Sequence, residues 1–150
     1  APKYQEKTAD EITIEQYSDK TKVKVIAGTT SKGTKGVIDN QFVDPVYFDI
    51  EQQEGGTYSE QIPLGHNTFI YVYQGSISIA GSTQSIDKGQ LVVLKNGDRV
   101  DVNSLQDSRY LLIAGRPLKE PVARGGPFVM NTRQEIDQAF ADYQSGNFAN

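Results

Sequence analysis

The sequence predicts an all-β domain, a barrel or jelly roll of short antiparallel strands accompanied by one C-terminal α-helix. Three observations carry this. Runs of four to six residues rich in β-branched and aromatic side chains recur at short intervals between residues 22 and 113. Turn-forming pairs separate them, and helical periodicity occurs clearly only near the end, over 132–145. Regular short strands with Gly- and Asn-containing turns build sandwiches or barrels, not parallel sheets.

In chain order, residues 1–20 are charged and mixed and read as a leading arm. KVKVIA at 22–27 alternates lysine with valine and isoleucine, the period of a half-buried strand. The Gly/Ser/Thr-rich stretch GTTSKGTKG at 28–36 has no phosphate-loop spacing and no helix after it, so it reads as a connector. Strands are expected at 46–50, 69–73, 76–80, 90–94, 99–102 and 109–113. Asn96-Gly97 between two β-like runs is a hairpin signal. Residues 115–130, GRPLKEPVARGGPFVM, form a proline-rich crossover in which neither helix nor central strand is expected. Thr132 and Glu135 have capping-box spacing, Ile136, Ala139, Phe140 and Tyr143 share one helical face, and Gly146 is placed to end the helix. The helix is expected to pack on the outside of the barrel, and the whole of 1–150 to form one domain.

With 150 residues, 37% apolar and 23% charged, the chain suits one globular domain. A net charge of −4 argues against direct nucleic-acid binding, which rests on a basic patch. No apolar run approaches membrane-spanning length, and the opening APKYQEK lacks a secretory apolar core, so a cytoplasmic protein without membrane contact is expected. There is no cysteine and one histidine, His66, so no thiolate chemistry and no two-histidine metal triad can be assembled.

The stretch GGTYSEQIPLGHNTFIYVYQG at 55–75 and the segment GQLVVLKNGDRVDVNS at 89–104 keep the glycine frame of the two cupin-barrel motifs, G-x5-H-x-H-x3-E-x6-G and G-x5-P-x-G-x2-H-x3-N. Gly75 closes the first motif, and Gly89 and Gly97 fit the second. Counting from these glycines places the four metal-ligand positions on Ile62, Leu64, Thr68 and Val100, none of which matches the motif's histidines and glutamate. The segment thus resembles a cupin whose metal site is filled with mainly aliphatic side chains. If these four point inward, Ile70, Val72 and Val102 share their face, and Phe69, Tyr71 and Tyr73 lie on the opposite one, needing cover from within the chain or from a neighbouring domain.

PKYQ, KVKVIAG, IPLGHNTFIYVYQG and above all RYLLIAGRPLKEPVARGGPFVMNTRQEIDQAFADYQSGNF resemble the C-terminal cupin domain of pirin-family proteins over essentially the whole chain. The resemblance implies one half of a two-cupin protein linked to quercetin 2,3-dioxygenase activity and to transcriptional co-regulation in animal nuclei. It also implies that iron or another divalent metal sits in an N-terminal cupin outside these 150 residues. No cofactor and no catalytic residue carry over to this chain. The implied partners are the N-terminal cupin of the same protein and a regulatory protein, with a nuclear location added for an animal source.

Several residues remain as interface or ligand candidates. His66 has the parity of Thr68 and either faces the barrel mouth or serves the turn at 63–65. Phe69, Tyr71 and Tyr73 are covered from within the chain or by a partner domain, and Arg116, Glu120 and Arg124 of the crossover bind an anion or the partner domain or are solvated. Tyr58, Glu60 and Tyr71 form no recognisable acid–base pair, and no serine has a nucleophile elbow. Two functional readings follow: a metal-free structural and interaction cupin completing a two-domain protein, or a metal-free small-molecule-binding barrel. Ile62, Leu64, Val72 and Val100 favour a closed core, hence the first.

Overall fold

The computed structural model describes residues 5–39 and 42–148, so the first four residues of the expected leading arm lie outside the described residues. The chain divides into two compact units, Ala1–Pro117 and Leu118–Asn150, where the sequence suggested one domain.

The first unit is two antiparallel sheets whose inner faces share one core, the predicted jelly-roll class. One sheet has six strands in the order β1-β2-β3-β10-β5-β8: β1 (Thr13–Ser18), β2 (Thr21–Ala27), β3 (Val46–Gln52), β5 (Asn67–Gln74), β8 (Leu91–Val93) and β10 (Ser108–Gly115). The other has four in the order β4-β9-β6-β7: β4 (Thr57–Gln61), β6 (Ser76–Ile79), β7 (Ser85–Asp87) and β9 (Arg99–Ser104). Period-two alternation is plain in β2, where Val23 and Val25 are fully buried between exposed Lys22 and Lys24. It is equally plain in β5, where Thr68, Ile70 and Val72 face in and Phe69, Tyr71 and Tyr73 face out. The core gathers Phe48, Ile50, Ile70, Val72, Tyr110 and Leu112 from the larger sheet and Tyr58, Ile77, Val100 and Val102 from the smaller. Each fully buried aliphatic among them contributes roughly 1.5 to 3 kcal/mol.

The structure corrects several expectations. The arm at 1–20 contains β1, which is paired along β2 and turns Glu15 inward. Asn96-Gly97 does not make a hairpin, because β8 pairs with β5 while β9 pairs with β4 and β6. The chain crosses between sheets there, and neither residue takes the positive φ that a type I′ turn requires. Gln74-Gly75 is likewise a passage between sheets. At Gly75 φ is +75°, and a Cβ would stand 2.4 Å from the Asp107 carbonyl oxygen, so only glycine fits.

The second unit is a hairpin and a helix. Within the crossover, where neither helix nor central strand was expected, β11 (Ala123–Gly125) pairs with β12 (Phe128–Met130) around Gly126-Pro127. A two-stranded ribbon has only edges, and Pro127 sits in the turn between its strands. Helix α1 (Arg133–Ser145) lays Ile136 and Ala139 on this hairpin, so its apolar face has a partner within its own unit. A Cβ on Gly125 would lie 2.5 Å from Ile136 Cγ2, which shows how closely the two approach. Phe128 is the hub, with Phe140, Tyr143 and Phe148 around its ring at 5.0, 6.0 and 4.9 Å.

The helix begins where its capping box places it. Thr132 Oγ1 accepts from the Glu135 N–H at 3.2 Å, and Glu135 Oε2 accepts from the Thr132 N–H at 2.7 Å. Thr132→Ala is expected to destabilise this unit by about 1 kcal/mol. The hydrogen bonds from Thr132 hold the Glu135 carboxyl below its ordinary value of 4.5. A depressed carboxyl stabilises fully above its unfolded value and loses that effect as pH falls through its folded one. The difference in helical circular dichroism between wild type and Thr132→Ala should therefore shrink on acidification below 4.5. A difference independent of pH would contradict the reciprocal cap.

Candidate functional site

The four positions that correspond to cupin metal ligands lie at one end of the two-sheet unit, and three of them point inward. Ile62, Thr68 and Val100 are 5%, 6% and 3% exposed. Leu64 breaks the expectation at 72% exposed. The chain leaves β4 after Gln61 and turns through Pro63-Leu64-Gly65, closed by His66 N–H to the Pro63 carbonyl at 3.2 Å and by Gly65 N–H to Asn96 Oδ1 at 3.1 Å. Parity counted through a turn loses its meaning, which is why Leu64 faces water. Two buried aliphatics and a hydroxyl offer no ligand set for a transition metal. Among the described residues no group of three His, Cys, Asp or Glu side chains is arranged to hold an ion.

Ile62, Val72 and Val100 are packed in the core as expected, and two clefts open at the surface beside this floor. One cleft of about 790 Å3 lies between the 79–86 turn and the 92–100 crossing, over Ile62, Thr68 and Val100. A second, of about 1050 Å3, lies on the other side of Ile62 and Arg99, between the 28–31 loop and the 44–46 segment, with Glu60 in its wall.

Glu60 belongs to a polar seam that the sequence did not disclose. On β4 it shares the inward face with Tyr58, and both are almost fully buried. Tyr58 Oη donates to Glu60 Oε2 at 2.6 Å, so the two do form a pair. The other carboxylate oxygen accepts from the Ser31 N–H at 2.7 Å and from the Ser31 hydroxyl. One residue earlier, Thr30 Oγ1 donates to Glu15 Oε2 on β1 at 2.5 Å. The 28–36 loop, expected as an ordinary connector, thus stitches β1, an edge of one sheet, to β4, an edge of the other. Tyr17 completes the seam, edge-on to Tyr58 at 4.8 Å and accepting from the Ser59 N–H at 3.2 Å. Burial first, and the Glu60 charge second, push the Tyr58 phenol far above its ordinary value, so it stays a proton donor. Deeper in, Tyr110 Oη donates to Gln52 Oε1 at 2.8 Å, whereas Gln52 Nε2 and Glu15 Oε1 are buried without a protein partner. Both suit a buried water. With every oxygen of Glu60 engaged, the seam ties an edge of one sheet to an edge of the other.

His66 does not line either cleft. Its Nε2 lies 3.0 Å from the Asp44 carbonyl oxygen, to which it donates, and it supports a residue held at φ 45°. Arg116 also serves this segment: its N–H donates to the Val43 carbonyl at 2.7 Å and its Nη2 to the Phe42 carbonyl at 2.8 Å. In the second unit Glu120 Oε2 accepts from Asn131 Nδ2 at 2.9 Å, and Arg124 is exposed on β11.

The outward face of the six-stranded sheet is apolar across four strands. Register aligns Tyr47, Ile113, Phe69 and Val93 in one row and Leu111, Tyr71 and Leu91 in the next. The residues on β3, β10 and β5 are half-buried, whereas Leu91 and Val93 are 54% and 71% exposed. Tyr73, at the polar margin, donates to Asp49 Oδ1 at 2.6 Å, and burial first, with this hydrogen bond second, raises its phenol above the ordinary value. Leu91 and Val93 were legible as strand residues, but their exposure depended on β8 being an edge.

Residues 47–149 match the family described as the Pirin C-terminal cupin domain. A pirin-like protein of Caulobacter vibrioides is 43% identical over 148 residues, covering 99% of this chain and 53% of that protein. A protein of Pseudomonas aeruginosa named as a putative quercetin 2,3-dioxygenase is 37% identical over 132 residues, covering 85% of this chain and 46% of that protein. Among solved structures, a quercetin 2,3-dioxygenase from Acinetobacter baumannii superposes with a TM-score of 0.87 at 30% identity, over 97% of this chain and 50% of that one. The chain therefore spans about half the length of the relatives it matches.

Proposed function

This chain belongs to the pirin family, matching its C-terminal cupin domain, and from that premise we propose that it is the structural and protein-interaction half of a two-cupin protein, with no metal centre of its own. The observation that carries the reading is the apolar outer sheet face, where Leu91 and Val93 stand exposed beside Phe69 and Tyr71. Apolar surface of this extent marks an interaction site. An N-terminal cupin is its first occupant, and a regulatory protein is a second partner of the assembled molecule, in the cytoplasm or, for an animal protein, the nucleus. The quercetin dioxygenase activity named for the relatives, and the iron or other divalent metal it needs, are assigned to that N-terminal half.

Chemistry at the ligand positions supports this division, because Ile62 and Val100 have no donor atoms. The purified chain is expected to carry no stoichiometric iron, zinc or copper, and elemental analysis finding one tightly held ion per chain would overturn the assignment.

The interface itself is tested by mixing this chain with the separately produced N-terminal half. Sedimentation should show a 1:1 complex. Leu91→Glu with Val93→Glu should leave the fold intact, since both side chains are exposed, and weaken the complex by about tenfold or more through buried unpaired charge. Absence of a complex, or equal affinity of the double variant, would contradict the reading.

A further inference from the structure

The 790 Å3 cleft at the barrel mouth has a lining whose chemistry selects a ligand. Its floor is Ile62, Thr68 and Val100, and its walls include Ile86 and Val92, so the deep part is apolar with one hydroxyl-bearing side chain. The rim carries Lys95 and Arg99. Arg99 uses Nε to bond Asp101 at 2.9 Å, which leaves its terminal guanidinium nitrogens for a second acceptor. Asp101 is the only acidic side chain in the lining, so a protein of net charge −4 presents a locally cationic rim above an apolar pit.

We infer that this cleft binds a small organic anion, an apolar ring body with a carboxylate, the ring over Ile62 and Val100 and the carboxylate between Lys95 and Arg99. The volume falls within the range of small-molecule sites, and apolar walls with a few orienting polar groups are their usual composition. A planar guanidinium suits a carboxylate better than a neutral hydroxyl does. The larger neighbouring cleft differs: Asp44, Glu60, Asp98 and Asp101 outnumber Arg99 in its lining, so an anion is directed to the smaller one. The site meets the proposed interface only at its margin, where Val93 lines both, while its floor of Ile62, Thr68 and Val100 faces inward and Leu91 lies outside it.

The probe is 1-naphthoate, titrated into the 150-residue chain and followed by calorimetry and by methyl NMR, with neutral 1-naphthylmethanol and cationic 1-naphthylmethylammonium in parallel. Naphthoate should bind with a micromolar to low millimolar Kd and shift the Ile86, Val92 and Val100 methyl signals. The neutral analogue should bind more weakly and the cation most weakly. Lys95→Met with Arg99→Met, both exposed and safe for the fold, should weaken naphthoate by about tenfold or more while leaving the neutral analogue nearly unchanged. Equal binding of all three probes, an unchanged double variant, shifts confined to Leu91 and Leu111 on the outer face, or no binding into the millimolar range would each overturn the inference.

Discussion

Glu60→Ala is expected to destabilise the chain by on the order of 4 kcal/mol, lowering the thermal midpoint by about 10 °C. Glu60 accepts from the Tyr58 hydroxyl, the Ser31 N–H and the Ser31 hydroxyl. Ser31 lies at the surface and water replaces its lost acceptor, but the Tyr58 side chain is 1% exposed and its hydroxyl is stranded. A buried donor without a partner costs roughly 1 to 3 kcal/mol, and the bonds to an ionised acceptor lost with it are each of similar size. The 28–36 loop also loses its bonds to the Glu60 carboxylate, leaving Thr30 to Glu15, Lys32 to the Tyr17 carbonyl and the Gln61 N–H to the Ser31 hydroxyl as its ties to β1 and β4. Tyr58→Phe by itself should cost about 1 to 3 kcal/mol, because it leaves the buried Glu60 Oε2 without its donor. The double variant should cost clearly less than the sum, because with the phenol gone nothing is left unsatisfied. Urea melts of the four proteins give the comparison. Strict additivity, or a Glu60→Ala loss below about 1 kcal/mol, would mean that the seam is ornamental to stability.

The seam also explains where the sequence was legible and where it was not. Strands whose inward residues are apolar, such as those carrying Val23 and Val25 or Ile70 and Val72, show their period directly, and the helix announces itself through Thr132 and Glu135. β4 was missed because two of its inward residues are Tyr58 and Glu60, so TYSEQ has no hydrophobic alternation to detect. β1 hides in the same way behind an inward Glu15, whose partner Thr30 is supplied by another loop. Hydrogen bonds between residues 15 to 29 positions apart leave no local signature. Leu64 failed for a different reason: the motif count assumes unbroken strand geometry, and Pro63 and Gly65 break it. The glycine frame nevertheless located the floor of the mouth correctly at Ile62, Thr68 and Val100. What it could not convey is that filling the floor leaves space above it, since that depends on how far the 79–86 turn and the 92–100 crossing stand apart.

Residues 1–150 alone are expected to turn over no quercetin, with or without added iron, while the full-length protein, of which this chain is proposed to be half, does so with a divalent metal. Oxidative cleavage of a flavonol needs a metal held by donor side chains with coordination positions left open for reactants. Here the corresponding positions hold Ile62, Thr68 and Val100, with Leu64 turned out to solvent, and the one histidine is committed to the Asp44 carbonyl. Binding an aromatic anion in the mouth would not alter this, because the residues that line the cleft supply one carboxylate, Asp101, and no imidazole to hold the metal that flavonol cleavage needs. Absorbance assays of the fragment, the full-length protein and a mixture of the two halves, each with and without iron, separate the cases. Turnover by the fragment at a rate comparable to the whole would move the chemistry into these 150 residues and overturn the division of labour. Restored turnover on mixing inactive halves would show that the apolar face of this domain positions or stabilises the catalytic one. Inactivity of every combination would remove the dioxygenase assignment from the whole protein and leave the interaction surface around Phe69, Tyr71, Leu91 and Val93 as its working part.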